Sequence, residues 1–344
     1  MKSSRQLSFT VRALRIYSRF VCMSVLFLIF LGGLVKSTES GLSVPDWPTT
    51  YGHFMFSFPL DQMVGGIKYE HSHRMVASIV GLMTLAMTIW LLRSNVASWI
   101  RKLGIAAFVL VVLQGILGGL TVKFYLPVWL SSLHGTLAQV YFLVTIMIAY
   151  GLSQEYQARS SRDDQSVDGR FIRMAVIFTG MVLAQLVIGN LIRHTEAGLA
   201  VPDFPAMGGT FIPTFDQAMM DRINQWRFEN NLDAVSMGQV HVHILHRFWA
   251  LLIFLKLIYL NMLVYKEHLN RPLILKTMFL LNATVLIQIM LGIATVLSMK
   301  EVYTTTFHVT VGAVTLGLGF LLVLRSSPVR WQEYNKKLSK AVTA

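Results

Sequence analysis

Tyr69-Glu70-His71-Ser72-His73-Arg74-Met75-Val76-Ala77-Ser78 runs without a break into an apolar stretch carrying Val80, Leu82, Leu85 and Trp90. The segment reads as a membrane helix with an acid and an imidazole at its mouth. Glu70 and His73 stand three residues apart, so on a helix they share one face and can address one bound object. An ionisable pair at such a helix end is a functional candidate, with an interfacial cap as the plain alternative. The chain then says nearly the same thing again: His243-Ile244-Leu245-His246-Arg247-Phe248-Trp249-Ala250 repeats the His-Arg pair and the apolar continuation. His243 takes the place of the glutamate.

Composition sets the class. Of the 344 residues 54% are hydrophobic and 14% charged, against roughly 25% charged in soluble domains, and mean hydropathy is +0.56. This is an integral membrane protein. Apolar runs that can cross a ~30 Å hydrocarbon core, about 20 residues each, fall at 17–36, 73–92, 103–123, 129–151, 172–193, 243–264, 273–297 and 303–324. The first is too long for a removed signal peptide and lacks its small-residue cleavage site.

Basic residues orient the weave. Lys2, Arg5, Arg12, Arg15 and Arg19 precede or open the first run, and Arg93, Arg101 and Lys102 follow the second. Arg159, Arg162, Arg170 and Arg173 flank the central connection, Lys266, Arg271 and Lys276 lie between the sixth and seventh runs or at the start of the seventh, and Arg325, Arg330, Lys336, Lys337 and Lys340 close the chain. All fall on one side, which predicts cytoplasmic termini. The net charge of +13 follows from this pattern, and no nucleic-acid motif accompanies it. An N-terminus without a transit-like stretch points to a bacterial inner (plasma) membrane.

The two long outer connections open with one phrase. Residues 32–48 read GGLVKSTESGLSVPDWP, and 189–205 read GNLIRHTEAGLAVPDFP. The register extends further: Gln114-Gly115-Ile116-Leu117-Gly118 matches Gln288-Ile289-Met290-Leu291-Gly292, Thr121-Val122 matches Thr295-Val296, and Leu133-His134 falls opposite Phe307-His308. An all-α membrane protein of eight helices is predicted, as two tandem pseudo-symmetric four-helix bundles, residues 1–152 and 171–344, joined by a cytoplasmic linker at 153–170. Small residues in the matched helices read as packing surfaces.

His73 with His134, and His246 with His308, begin alternate helices and lie toward the outer face. Each half therefore offers two imidazoles from facing helices at one depth, which is how a bundle holds an iron porphyrin. His53, His71, His194, His241 and His268 lack such pairing and receive no role. His243 reads either as touching a ligand or as a surface residue. A di-iron centre needs further carboxylates on neighbouring helices, yet every Asp and Glu lies in a loop or at a helix end. The single Cys22 excludes iron–sulfur clusters and an internal disulfide.

With Glu70-x-x-His73-Arg74, His134, His246, His308 and the twin Thr-Glu-x-Gly-Leu-x-Val-Pro-Asp phrase in view, the chain resembles the haem A synthase family over essentially its whole length. That resemblance implies oxidation of a methyl group of haem O to the formyl group of haem A, in cytochrome oxidase assembly. It implies substrate haem O on His73 and His134, a haem b cofactor on His246 and His308, eight helices and haem sites near the outer face. It implies as partners haem O delivered by haem O synthase and an unspecified electron acceptor, and it allows an oligomer. Some members carry a cysteine pair in an outer loop, and this chain has none.

From the residues, removing hydrogen from an unactivated methyl lies beyond protein side chains, so redox work falls to haem iron. Glu70 is then the candidate catalytic proton acceptor or charge stabiliser. Arg74 and Arg247 are candidate propionate partners, with snorkelling to the interface as the alternative. Pro45, Asp46, Pro202 and Asp203 read as shaping lids over the sites. Phe215–Asn230, with Met219, Met220, Ile223 and Trp226 at helical spacing, reads as a surface helix in the second lid. A di-haem b electron carrier would use the same four histidines but has no need for an acid in one half only. A haem transporter would bind reversibly in both halves. A haem O-making prenyltransferase is disfavoured, since no Asp-x-x-x-Asp cluster occurs.

Overall fold

The computed structural model describes residues 2–161 and 169–327. Among them the chain forms ten α-helices: α1 (Lys2–Ser37), α2 (Ile67–Arg93), α3 (Ser98–Lys123), α4 (Val128–Gly151), α5 (Gln154–Ser161), α6 (Gly169–His194), α7 (Gln217–Glu229), α8 (Met237–Glu267), α9 (Pro272–Leu297) and α10 (Val302–Ser326). All but α5 and α7 are long and apolar enough to cross a membrane, α1 through Val11–Ser37. The eight expected spans are therefore present.

Helix starts differ from the hydropathy runs because caps and breakers, not apolarity, decide where a helix begins. The segment ahead of α2 turns through Gly65 at φ +53°, and α2 starts at Ile67, so Glu70 lies in its first turn. Ser236 starts α8 with a capping box, its side chain accepting from Gln239 N–H while Gln239 reaches back to the Ser236 N–H. Both His-Arg motifs thus sit one to three turns inside their helices. The linker read as plain polar chain contains α5, and Arg325 of α10 donates to both Glu155 oxygens, at 2.9 and 2.7 Å, tying that helix down. Linker residues 162–168 and the terminal cations Arg330, Lys336, Lys337 and Lys340 lie outside the described residues.

Helices α1 to α4 pack on one another around one core, which includes Leu14, Val21, Met87, Tyr141 and Ile148. Helices α6, α8, α9 and α10 pack around a second, which includes Phe171, Phe178, Leu260, Leu281 and Leu316. In lipid no hydrophobic drive pulls helices together, so close approach and buried polar bonds do the work. Asn261 on α8 and Asn282 on α9 exchange two amide hydrogen bonds of 2.8 Å, each worth about 0.6–2 kcal/mol in such a setting. The two groups meet along a seam of α1 on α10 and of α4 on α6 and α10. At Gly317 in that seam a Cβ would stand 2.9 Å from Ile146 Cδ1 and 3.1 Å from Phe142, so a larger residue would push those side chains aside.

The connections 38–66 and 195–236 fold back over the ends of their bundles. The second has its own core, in which Met219, Met220 and Ile223 of α7 pack with Ala197, Ala200, Val201, Val235 and Ile244. Asp216 caps α7 by accepting from the Met219 N–H. The surface helix expected around Phe215–Asn230 is this element, with Trp226 half-buried beside it.

Candidate functional site

Each of the four paired histidines rests its ring against a glycine of a neighbouring helix. A Cβ at Gly32 would stand 3.2 Å from His73 Cε1, at Gly118 3.2 Å from His134 Cε1, at Gly189 3.5 Å from His246 Cε1 and at Gly292 3.1 Å from His308 Cε1. Helices α1, α3, α6 and α9 thus supply a flat backbone wall behind an imidazole on α2, α4, α8 and α10 respectively. Gln114 Nε2 donates to the His134 carbonyl at 2.9 Å and Gln185 Nε2 to that of His246 at 3.0 Å, which fixes those two backbones.

In all four rings Nδ1 is buried without a hydrogen bond of good geometry. The main-chain carbonyls of Gln114 and Gln288 lie beside His134 and His308, short of that geometry. A buried polar atom left with no partner costs about 1–3 kcal/mol, and His73 and His246 each carry one at matched positions. The His246 and His308 ring centroids are 6.3 Å apart, with planes inclined at 68°. Two metal–imidazole bonds of ~2 Å, with a ring radius of about 1 Å at either end, place centroids about 6 Å apart. The pair therefore fits one metal bound from both sides. His73 and His134 are close enough to act on each other electrostatically. No three His, Cys, Asp or Glu side chains converge among the described residues, so the imidazoles come as two separate pairs, as axial ligation of an iron porphyrin requires.

Over each pair the connection is held by one repeated set of bonds. The Asp46 carboxylate accepts from the N–H of Tyr51 and Gly52, at 2.7 and 2.9 Å, and the Asp203 carboxylate from those of Gly208 and Gly209, at 2.9 and 2.7 Å. Arg74 donates from Nη1 to the Asp46 and Thr49 carbonyls and from Nη2 to that of Val44. Arg247 does the same to Asp203, Ala206 and Val201. Both guanidiniums are thus engaged as clamps on the lids. Burial alone would raise the Asp46 pKa, but the Gly52 and Tyr51 amides and the Thr49 hydroxyl outweigh it and hold the carboxyl below the usual range.

The copies part at the residue three positions before the first histidine of each pair. Glu70 is 3% exposed. Its Oε2 accepts from the Val44 N–H at 2.8 Å and its Oε1 from Arg74 Nη2 at 2.5 Å. His243, 4% exposed, instead meets the Ala197 carbonyl with Nδ1 at 2.9 Å. Only a protonated Nδ1 can make that bond, so His243 is neither a surface residue nor free to turn. One site presents a carboxylate to its lid and the other an N–H donor.

Of the histidines given no role, His71 is a lid pin, its Nδ1 2.9 Å from Thr50 Oγ1 and its ring against Phe58. His53 also packs on Phe58, His241 on Phe215 and His268 on Phe171. His194 lies near His134 at the seam. Nothing in the sequence tied the four wall glycines to histidines on other helices. Their only visible signal is the repeat, which aligns Gly32 with Gly189 and Gly118 with Gly292.

The family model COX15-CtaA, cytochrome oxidase assembly protein, matches residues 15–320. Among curated relatives, the heme A synthase of Geobacillus kaustophilus is 28% identical over 204 residues, which is 58% of this chain and 62% of that protein. Those of Halalkalibacterium halodurans and Lysinibacillus sphaericus are 25% identical over 312 residues and 26% over 322, covering 86% and 90% of this chain and 91% and 94% of theirs. A match running from the first span to the last, over a helical membrane fold with its paired histidines, places the chain in the COX15-CtaA family of cytochrome oxidase assembly proteins.

Proposed function

We propose that the protein is a haem A synthase of the inner membrane, with substrate haem O between His73 and His134 and a resident haem b between His246 and His308. Relatives named heme A synthase along nearly the whole chain support this reading. The observation that carries it is a difference between the two sites three residues before the first histidine of each pair, Glu70 in one and His243 in the other. An electron carrier has no use for that difference. A reaction in one half does.

When bound, the iron porphyrin supplies the oxidising chemistry that turns the methyl group of haem O into a formyl group. The chain's own residues do the rest. The glycine walls place the rings and the Gln114 and Gln185 bonds hold two of their backbones, while the buried Nδ1 atoms leave Nε2 as the atom that would ligate. The lids, clamped by Arg74 and Arg247, keep water from the reacting edge. Glu70 would take up, at a carboxylate oxygen, the proton released as the methyl C–H bond is oxidised and its electrons leave to the outside acceptor, or would balance positive charge there. Arg74 holds that carboxylate in place, and a small shift of the lid that breaks the Val44 N–H bond frees Oε2 for the task.

The basic clusters support cytoplasmic termini and sites at the outer face. Haem O would then come from the enzyme that makes it, and electrons would leave to an acceptor outside this chain. Extraction of the pigments from the purified protein tests the reading. Haem b together with haem A or a hydroxylated haem O is expected, and two haem b per chain with no oxidised haem would contradict it.

A further inference from the structure

Each half carries a cation one helical turn, ~6 Å, beyond the glycine that backs its first histidine. Lys36 follows Gly32 by four residues on α1, and Arg193 follows Gly189 by four on α6. The repeat makes them equivalents, but their surroundings differ. Lys36 Nζ is ion-paired with one oxygen of Glu196, whose other oxygen takes Lys300 Nζ at 3.4 Å. The first cation is therefore neutralised by a carboxylate that belongs to the second lid.

Arg193 turns into the seam. Its Nη2 donates to the Gly33 carbonyl at 2.9 Å and to Ser37 Oγ at 3.1 Å. Ser37 Oγ also accepts from Thr306 Oγ1 at 3.1 Å, two residues before His308 on α10. The guanidinium is an electrostatic neighbour of His308 itself. Its Nε and Nη1 make no hydrogen bond with the described residues, and both oxygens of Glu196, three residues on, are held by lysines. Arg74 and Arg247, by contrast, spend both terminal nitrogens on lid carbonyls. A half-buried guanidinium with donors to spare, joined through Ser37 to Thr306 two residues before the candidate ligand His308, is suited to take a carboxylate.

We propose that Arg193 is the carboxylate anchor of the second site, binding a propionate arm of the porphyrin held between His246 and His308. The inference rests on the haem reading above and deepens it. Because Glu196 sequesters Lys36, the first site lacks the equivalent anchor and lets its porphyrin go. One porphyrin stays and the other turns over, as an enzyme with one resident and one substrate haem requires.

Full-length protein from haem-starved cells, with the first site silenced by His73→Ala and His134→Ala, is titrated with haem b and with haem b dimethyl ester, following the low-spin absorption band. The second site should prefer the free acid by roughly tenfold or more, as one charge-assisted hydrogen bond predicts. Arg193→Gln should bring the ratio near one, and Arg193→Lys should restore part of it. A ratio unchanged in Arg193→Gln overturns the anchor. Should Arg193→Gln fail to fold, Glu196→Gln decides: with the second site silenced by His246→Ala and His308→Ala, it frees Lys36 and should raise the free-acid preference of the first site. No change there overturns the proposed asymmetry. A parent that binds both porphyrins equally overturns the anchor alone, whereas a parent that binds neither overturns the haem reading with it.

Discussion

Four imidazoles each lying on a glycine backbone make ring position sensitive to a single methyl group. In the second site a Cβ at Gly292 would meet His308 Cε1 at 3.1 Å, while one at Gly189 would meet His246 Cε1 at 3.5 Å, an ordinary contact. Gly292→Ala should therefore shift the low-spin haem spectrum and weaken binding, within the ~1–3 kcal/mol typical of overpacking. Gly189→Ala should do much less, and Gly115→Ala, where a Cβ meets nothing within 4 Å, nothing. Equal spectra for Gly292→Ala and Gly115→Ala would remove the wall from the account. Asp46 supplies a pH test. Its folded pKa is depressed, so its stabilisation of the first lid is full above the unfolded value of ~3.9 and is lost as pH falls through the folded one. Protection of the Tyr51 and Gly52 amides against exchange, relative to the free-chain rate at each pH, should drop only in that acid window. In Asp46→Ala it should be low at neutral pH and independent of pH. The paired histidines and Glu70 were legible from spacing and repetition. The engagement of Arg74 and Arg247 was not, because sequence adjacency to a ligand says nothing of a lid folding back from more than twenty residues upstream.

At the scale of elements, hydropathy found every span but misplaced the starts of α2 and α8, because Gly65 and the Ser236–Gln239 capping box act ahead of the apolar runs. This matters for chemistry. It places Glu70 and His243 inside helices, where a fixed backbone aims them at Val44 and Ala197 of the lids. Helix α7 was visible as a spaced apolar stripe, and its packing into the second lid follows from burying Met219 and Ile223. Helix α5 escaped notice because a short polar helix has no apolar period. It is held by the Arg325–Glu155 ion pair, a tertiary contact. The lids carry a directional prediction from the basic clusters. A reporter inserted near Asp233 should be active only outside the membrane, and one fused after Ala344 only in the cytoplasm. The opposite pattern would put both lids, and all four imidazoles, on the wrong side.

The whole molecule is two helix groups that repeat the same lid bonds over matched histidine pairs. Repetition made the fold readable, since each half checks the other. The proposed function rests on the differences. In the proposed reaction Glu70 against His243 marks one half as the site of chemistry, and the seam, where Arg193 and Glu196 reach across, lies between positions the repeat alone could not bring together. The central claim is that Glu70 serves conversion, not binding. Its test is the haem content of cells supplied with haem O and expressing the parent or Glu70→Gln at matched levels. Glu70→Gln keeps the shape and removes the charge, and the account predicts a folded, haem-retaining protein in which haem O or a partly oxidised haem accumulates. Haem A should fall by the ~10²–10⁴ that a lost proton acceptor costs in rate. Equal haem A from both proteins would contradict it.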